Sequence, residues 1–164
     1  MKRLWAPWRM EFIQSAHRED GCLLCRLPAE GEDERNLILL RGEKTYLLLN
    51  RYPYAHGHLM VVPYRHVADL EALEAEEGAE LFQLSQRAVA TLRRAIRAQG
   101  FNLGVNLGSE AGTGVADHLH LHVVPRWRGD TNFMPLLAET RVMPQHLEEA
   151  YAQLAPLLRE GTHG

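Results

Sequence analysis

The sequence predicts an antiparallel α+β fold in a single domain. The chain has 164 residues, of which 46% are hydrophobic, and a chain of that length can bury roughly 70% of its unfolded surface in one core. Short apolar runs separated by turn residues predict strands, and two longer stretches repeat their apolar residues at helical spacing. Their order favours a meander sheet with one main helix lying on it and a second helix near the C-terminus.

Five strands are predicted, three before the long helix and two after it. The segment up to about residue 33 looks irregular, because Pro and Gly residues punctuate it. Two strands joined at Gly42 then form a hairpin, and a loop leads to a third strand. A fourth strand and a strand that starts with histidine follow the long helix. The expected strands cover residues 36–41, 45–50, 58–63, 101–107 and the run from His118 onward.

The long helix is predicted between the third and fourth strands, and Gly100 is expected to end it. Its apolar residues at helical spacing are Leu81, Leu84, Ala88, Leu92 and Ile96. The C-terminal helix is marked in the same way by Leu147, Tyr151, Leu154 and Leu158. For the long helix, such a stripe favours burial against the sheet over the binding of a partner helix.

Composition and charge exclude several classes of function. The net charge is −3 with histidine neutral, so no broad basic field attracts nucleic acid. The start of the chain carries charges without an apolar run behind them, unlike a secretory signal, and no stretch approaches the ~20 apolar residues that span a membrane. We therefore expect a cytoplasmic protein with no nucleic-acid or membrane partner, in which a local site holds any phosphate ligand.

The most informative pattern is a row in which three histidines alternate with leucines, from His118 to His122. In a β-strand successive side chains point to opposite faces, so the three imidazoles would share one face and the leucines would face the core. Such a row can hold a metal ion, supply a nucleophile or bind phosphate, because imidazole titrates near neutral pH. An ordinary amphipathic surface strand and an all-histidine metal site are the alternatives at this point.

Cys22 and Cys25 form a C-x-x-C pair. That spacing is typical of metal or redox sites, and two cysteines cannot build a disulfide framework. A thioredoxin-like redox pair would start a helix after a strand, whereas these cysteines precede the first predicted strand. A tetrahedral zinc site would need two further ligands, and unbound buried thiols are the alternative.

Two histidines could complete such a zinc site. His66 follows the third strand and His118 begins the histidine row. Together with the cysteines they would tie the irregular N-terminal segment to the sheet, and a closed shell containing thiolates would make the zinc structural. His56 and His58 are rivals to His66, and the residue types alone leave that choice open.

The histidine row resembles the signature of the histidine triad (HIT) family, in which three histidines alternate with apolar residues and two apolar residues follow. The resemblance extends from about residue 36 to residue 128. It is also carried by Leu49-Asn50, the run from Gly57 to Pro63, Asn106-Leu107-Gly108, Ala111-Gly112 and Pro125-Arg126. Within the family the chain is similar to the bacterial branch that acts on dinucleoside polyphosphates, at residues 3–10, 52–54, 100–102 and 129–133.

The resemblance implies a HIT-like fold and a nucleotidyl transfer through a covalent intermediate on the middle histidine. It makes His120 the nucleophile and leaves His122 to bond phosphate oxygens or the leaving group. One ring nitrogen of His120 must then be unprotonated, and we expect the other to donate to a backbone carbonyl. The zinc ligands that the resemblance implies are Cys22, Cys25, His66 and His118.

Further residues are expected around a bound nucleotide. The resemblance implies that Asn50 hydrogen-bonds the ribose hydroxyls. A Gly-rich loop before the histidine row would offer backbone N–H groups to phosphate. Arg126 and Trp127 are candidates for distal phosphates and a second base. The full set of expected substrate contacts is Leu48, Asn50, His58, Met60, Asn106, Gly112, Thr113, Gly114, Arg126 and Trp127.

The loop before the row departs from the pattern of many hydrolytic family members. Thr113 stands between two glycines where those proteins carry Gly-Gln, and the loop looks one residue longer. A small hydroxyl leaves space for inorganic phosphate as acceptor, so phosphorolysis of diadenosine tetraphosphate to ATP and ADP is the leading expectation. The alternatives are hydrolysis of the same compound or of nucleoside phosphoramidates, a non-catalytic purine-nucleotide-binding module, and a zinc-dependent structural protein.

We expect one HIT-like domain over residues 1–164. Residues 1–35 would be an irregular segment that carries the zinc cysteines, residues 36–128 the core, and residues 129–164 a C-terminal extension with a helix. Structural Zn²⁺ is the expected cofactor, and Mg²⁺ can accompany the substrate, although no acidic cluster marks a protein site for it. By resemblance, the chain forms a homodimer through the long helix and an edge strand.

Overall fold

The computed structural model describes residues 21–113, 115, 117–130 and 145–160. Within these residues, five strands form one sheet with the order β1-β2-β3-β5-β4, and every neighbouring pair is antiparallel. The strands are β1 (Ile38–Arg41), β2 (Thr45–Leu49), β3 (Leu59–Pro63), β4 (Gly100–Val105) and β5 (Leu121–Arg126). The helices are α1 (Leu23–Ala29), α2 (Ala75–Ala95) and α3 (Leu147–Arg159). The predicted antiparallel α+β fold is confirmed. The predicted meander holds only for β1, β2 and β3, because α2 carries the chain from β3 to the edge strand β4 and β5 then returns between them.

The sheet separates two apolar clusters because its residues alternate between faces. The larger cluster lies under α2 and α3, and the smaller one lies under α1. The larger cluster includes Leu47, Leu49, Leu59, Val61, Leu81, Ala88, Leu92, Leu121, Val123, Leu154 and Leu158. The smaller cluster is formed by Leu24, Ile38, Tyr46, Leu48 and Val62.

The predicted hairpin and both predicted helices are present. The Gly42 N–H donates to the Thr45 carbonyl at 2.8 Å, which closes the turn between β1 and β2. The long helix ends at Ala95, earlier than the expected stop at Gly100. Ile96 leaves the helical region and Arg97 has a φ of +52°, so the chain reverses there and Gly100 already belongs to β4.

The N-terminal segment differs from its prediction. The sequence predicts an irregular segment up to about residue 33, yet Leu23–Ala29 forms α1. Leu24 is 3% exposed and packs in the smaller cluster, and the Tyr46 hydroxyl donates to the Leu24 carbonyl at 2.6 Å. The sequence does not predict this helix because Gly21 precedes it and Pro28 lies inside it. Both residue types usually break helices.

The histidine row is also different from its prediction. β5 begins only at Leu121, so His118 and His120 precede the strand and only His122 lies in it. Pro63 ends β3 and has no N–H to offer, so the ladder with β5 stops short of it. The Leu119 N–H donates instead to the Val67 carbonyl at 2.7 Å. β4 likewise ends at Val105 rather than at residue 107.

Some expectations fall on residues that the structure does not describe. Gly114 of the expected phosphate loop lies outside the described residues, as do the family-like stretches at residues 3–10 and 131–133. Among the described helices, none combines the length and apolar character needed to cross a bilayer.

Candidate active site

His120 is held with one ring nitrogen committed to the backbone. Its Nδ1 lies 2.8 Å from the His118 carbonyl oxygen, so Nδ1 must carry the proton and donate. Nε2 therefore keeps its lone pair, which a nucleophilic imidazole needs. The side chain is 6% exposed, and its burial lowers the pKa of His120 although the bond to the carbonyl opposes that shift. The ring is thus neutral near pH 7.

A hydrogen bond from His58 determines which ring nitrogen of His122 carries the proton. The Tyr54 N–H donates to His58 Nδ1 at 3.1 Å, so His58 carries its proton on Nε2. That nitrogen lies 2.9 Å from His122 Nδ1 and donates to it. The proton of His122 is then on Nε2. His58 is fully buried, which fixes this chain of donors in place.

Asn50 lies at the same end of the sheet as the histidines. Its Nδ2 is 3.4 Å from His58 Nδ1, and its Oδ1 accepts from the Tyr52 N–H at 2.9 Å. The side chain that the resemblance gives to the ribose therefore also braces the loop between β2 and β3. This dual contact makes the position of Asn50 depend on the position of His58.

Leu48 and Met60, two of the expected substrate contacts, pair across the β2–β3 ladder and share one face of the sheet. Leu48 is 3% exposed and belongs to the smaller apolar cluster. Met60 is only half-buried and lies directly across the ladder from His122. Met60 is therefore the one that presents apolar surface beside the histidines.

The loop before the histidine row contains the expected small residues in turn conformations. Gly112 has a φ of +78°, a left-handed conformation that favours glycine. The Thr113 hydroxyl donates to the Val115 carbonyl at 3.1 Å, so its proton braces the loop and its oxygen keeps acceptor capacity. Asn106 lies half-buried just after β4. The loop is thus preformed by its own hydrogen bonds.

Four side chains gather at one end of α1 with their ligand atoms within 4.8 Å of one another: Cys22, Cys25, His66 and His118. His118 Nδ1 lies 3.2 Å from Cys22 Sγ and 3.4 Å from Cys25 Sγ, and His66 Nδ1 lies 3.5 Å from Cys25 Sγ. Tetrahedral zinc, with bonds of about 2.3 Å to sulfur and about 2.0 Å to nitrogen, places such atoms roughly 3.5 Å apart. The residues therefore fit zinc.

The surroundings of this cluster support a cation. His118 Nε2 donates to the Pro63 carbonyl at 2.8 Å, which leaves Nδ1 as the lone-pair nitrogen toward the thiols. Burial and the neighbouring Cys22 raise the pKa of Cys25 to about 11. A cation between the sulfur atoms would reverse that cost, because it stabilises both thiolates.

Arg126 and Trp127 lie away from the histidines. The Arg126 guanidinium pairs with Asp130 at 2.8 Å and donates to Asn102 at 3.3 Å. Trp127 donates from Nε1 to the Ile96 carbonyl at 3.3 Å and stacks on His56, so it covers the end of α2. The geometry does not bring Trp127 together with the other expected contacts.

Tyr54 is a site residue that the sequence analysis did not single out. Its ring centroid lies 4.7 Å from that of His58 and 5.8 Å from that of His122, and 41% of the residue is exposed. Its signals in the sequence are an aromatic side chain in the short loop between Asn50 and His58 and a place in the family-like stretch at residues 52–54. The contact itself depends on the folded path of that loop.

Comparison with known proteins gives a consistent result. The chain is 43% identical to the AP-4-A phosphorylase of Mycobacterium tuberculosis over 162 residues, which cover 94% of this chain and 83% of that protein. It is 27% identical to the asymmetrical bis(5′-nucleosyl)-tetraphosphatase of Schizosaccharomyces pombe over 124 residues, or 76% of this chain and 64% of that protein.

Solved structures resemble the fold in the same way. A zinc-bound histidine triad family protein from Mycobacterium smegmatis superimposes with a TM-score of 0.68 at 28% identity, covering 85% of this chain and 94% of that chain. The model of the HIT domain matches residues 31–129, which include the histidine row and two of the four clustered ligands, His66 and His118. The chain belongs to the HIT family.

Proposed function

We propose that the chain is an enzyme that cleaves dinucleoside polyphosphates, with phosphorolysis of diadenosine tetraphosphate to ATP and ADP as its reaction. The observation that carries the proposal is the 2.8 Å bond from His120 Nδ1 to the His118 carbonyl, which leaves Nε2 as an unprotonated nucleophile. The 43% identity with a mycobacterial AP-4-A phosphorylase supports this substrate and this acceptor.

In the first half-reaction, His120 Nε2 attacks the α-phosphorus of one adenylyl group. A nitrogen–phosphorus bond forms while the bond to the bridging oxygen breaks, and the electron pair leaves with that oxygen as ATP. The adduct ring carries a positive charge that the His118 carbonyl stabilises through the Nδ1 proton. His122 donates from Nε2 to a phosphate oxygen, because His58 fixes its proton there.

In the second half-reaction, an oxygen of inorganic phosphate attacks the same phosphorus. The nitrogen–phosphorus bond breaks, the electron pair returns to His120 Nε2, and ADP is released. Backbone N–H groups of the loop that contains Gly112 and Thr113, together with the Asn106 amide, would stabilise the charge on the phosphate oxygens. The Thr113 side chain is short and points its proton to Val115, so the acceptor phosphate has room beside it.

Product analysis tests the reaction. The protein is incubated with diadenosine tetraphosphate with and without inorganic phosphate, and the nucleotides are separated by chromatography. We expect equal amounts of ATP and ADP with phosphate. Without phosphate we expect one burst of ATP and a protein heavier by one adenylyl group. Release of AMP and ATP at a rate that does not depend on phosphate would contradict phosphorolysis.

Hydrolysis is the second candidate, and a specific similarity favours it. The chain is 27% identical to a bis(5′-nucleosyl)-tetraphosphatase, and water could attack the same intermediate on His120. The two reactions differ only in the acceptor of the second half-reaction. The same chromatogram therefore separates them, because water converts the adenylyl group to AMP and phosphate converts it to ADP.

We also propose that Cys22, Cys25, His66 and His118 hold a structural zinc ion. The shell contains four protein ligands, which leaves no open position for water or substrate. When bound, the ion supplies cross-linking and charge rather than a step of the reaction. It would join α1 to the chain just before β5, where His118 also positions the backbone carbonyl that receives the His120 proton.

The organisation that we propose is one HIT-like domain over residues 1–164 with residues 36–128 as its core, associated as a homodimer. The support for a second copy is an apolar patch on α2 and β4. β4 is an edge strand in the described sheet, and Phe82 and Leu103 are 60% and 44% exposed beside it. Val89 and Arg93 line the same surface. A second copy would cover this patch and pair with the edge of β4.

A further inference from the structure

Beside the histidines, one part of the sheet has no helix over it within the described residues. His122 pairs with Gly104, Val124 with Asn102, and Arg126 with Gly100. Because partners in an antiparallel ladder share a face, the side chains of His122, Val124 and Arg126 point to the same side as Asn102. The 3.3 Å bond from Arg126 to Asn102 agrees with that placement.

We call this surface the β4–β5 strip and define it by His122, Val124, Arg126, Asn102 and Gly104. Gly104, Asn102 and Arg126 are exposed, and Val124 is half-exposed. The strip runs for roughly 13 Å from His122 to Arg126, given a rise of about 3.3 Å per residue. It therefore extends well beyond the space that a single phosphate beside His122 would occupy.

Within the strip, Gly104 lies directly across the ladder from His122. A Cβ built on Gly104 would meet no atom within 4 Å, and its φ is not in the left-handed region. Neither backbone conformation nor packing in the strand therefore demands glycine here. Glycine in a strand is unfavourable unless something approaches the backbone closely, and an approaching ligand is the explanation that the open surface offers.

The two ends of the strip match the two ends of a leaving group. At one end the His122 ring lies 4.9 Å from that of His120, so His122 would lie next to the phosphorus that His120 attacks. At the other end the Arg126 guanidinium is oriented by Asp130 and Asn102. Tyr54, 41% exposed, covers the His58–His122 pair on the side of the solvent and offers an aromatic face nearby.

We propose that the β4–β5 strip binds the leaving half of a dinucleoside polyphosphate, with Gly104 as the residue that keeps the strip open for it. The inference rests on the proposed function. The distal phosphates would lie over Gly104 and Asn102 and reach toward Arg126, and the second nucleoside would follow them. Gly104 is then a specificity-determining residue that separates substrates with a long leaving group from those with a small one.

The test compares two substrates on the full-length protein. Diadenosine tetraphosphate has a long leaving group, whereas adenosine 5′-phosphoramidate carries the same adenylyl group with only an amine to leave. We expect Gly104→Leu to lower the ratio of the two kcat/KM values, tetraphosphate over phosphoramidate, at least tenfold. Gly104→Ala should lower the ratio by less, because one methyl group fills little of the strip.

Matched measurements separate the possible outcomes. Gly78→Leu on α2 is the control, because an added Cβ there also meets nothing within 4 Å, and it should leave the ratio unchanged. Circular dichroism and thermal unfolding check that each variant folds. A wild-type protein active on both substrates, with the same ratio in Gly104→Leu, would overturn the role of the strip alone. A wild-type protein that uses the phosphoramidate but not the tetraphosphate would overturn the proposed function as well.

Discussion

At the scale of single residues, the three histidines of the row differ because each ring has a different second partner. His118 donates to Pro63, His120 donates to the carbonyl of His118, and His122 accepts from His58. The first ring therefore turns a lone pair toward the thiols, the second keeps a lone pair on Nε2, and the third carries its proton on Nε2. Only the donation from His120 to a backbone carbonyl is expected from the sequence. The partners of His118 and His122 are 55 and 64 residues away along the chain, so the alternation does not reveal them.

The assignment of the nucleophile leads to a substitution test. His120→Asn removes the attacking nitrogen while keeping a polar side chain of similar shape. We expect kcat/KM for diadenosine tetraphosphate to fall by at least about 10⁴-fold, the size of effect seen when a covalent nucleophile is removed. No adenylyl group should then be found on the protein by mass spectrometry. Turnover close to that of the wild-type protein would show that another group attacks.

A second residue-scale feature is a carboxylate that holds the β1–β2 turn. Glu80 accepts from the N–H groups of Glu43, Lys44 and Thr45 at 2.6–2.8 Å and from the Thr45 hydroxyl at 2.8 Å. Partial burial opposes ionisation of Glu80, but these bonds outweigh it and lower the pKa of Glu80 below 4.5. A group with a lowered folded-state pKa stabilises the fold above its unfolded pKa and loses that effect as the pH falls.

Glu80→Gln should therefore destabilise the protein in a pH-dependent way. At pH 7 we expect a loss of about 1–3 kcal/mol in the free energy of unfolding, because bonds to a charged acceptor are replaced by weaker ones. The difference from the wild-type protein should shrink as the pH falls below 4.5, where the wild-type carboxylate takes up its proton. Urea unfolding at several pH values measures both effects.

Glu76→Gln is the matched control for that experiment. Glu76 is on the same helix, and its carboxylate is 78% exposed at 3.6 Å from Lys44. An exposed pair of this kind contributes about 0–1 kcal/mol. Equal losses in the two variants would mean that removal of charge from α2, and not the turn contacts of Glu80, is responsible.

At the scale of elements, the sequence was informative where the pattern is local. The β1–β2 hairpin and α2 follow from apolar spacing within a few residues, and both are present. α1 was missed, because a seven-residue helix with Pro28 inside has little local signal and depends on Leu24 reaching the sheet. The late start of β5 was missed for a similar reason, since it depends on the end of β3 at Pro63.

The cluster of Cys22, Cys25, His66 and His118 was likewise predictable only in its local part. The C-x-x-C spacing puts Cys22 and Cys25 one helical turn apart, and the Cys25 N–H bonds the Cys22 carbonyl at 3.2 Å. The spacing indicated the pair, but it left His56, His58 and His66 as rivals for the third position. In the structure His66 joins the cluster, whereas His58 bonds His122. Family resemblance had favoured His66, and the geometry agrees with it.

If this cluster binds zinc, loss of a ligand should destabilise the attachment of α1 to the sheet. Cys25→Ser should lower the zinc content from about one ion per chain to a small fraction, and lower the melting temperature by at least about 5 °C, because the link between α1 and the sheet is lost. Inductively coupled plasma mass spectrometry and thermal unfolding under reducing conditions measure the two effects. Cys22→Ala should behave alike, and undiminished zinc in either variant would remove that cysteine from the site.

At the scale of the whole molecule, the two faces of the sheet have different roles. One face packs on α2 and α3 and supplies most of the apolar core. The other face carries α1 over the smaller cluster and leaves the histidines and the β4–β5 strip beyond it. The edge at β4 borders both the strip and the apolar patch on α2. A second copy on that edge would therefore lie next to the proposed path of the leaving group without covering the face that binds it.

The homodimer is tested by placing a charge in the apolar patch. In Phe82→Glu a carboxylate would be buried without a partner when two copies meet, at a cost of about 3 kcal/mol or more. That cost corresponds to a dissociation constant raised by at least about 100-fold. Sedimentation velocity over a concentration series should show a dimer for the wild-type protein and a monomer for the variant. Leu70→Glu, at a residue that is 50% exposed in a separate turn, should remain dimeric. A wild-type monomer, or a Phe82→Glu variant as dimeric as the control, would contradict association through this patch.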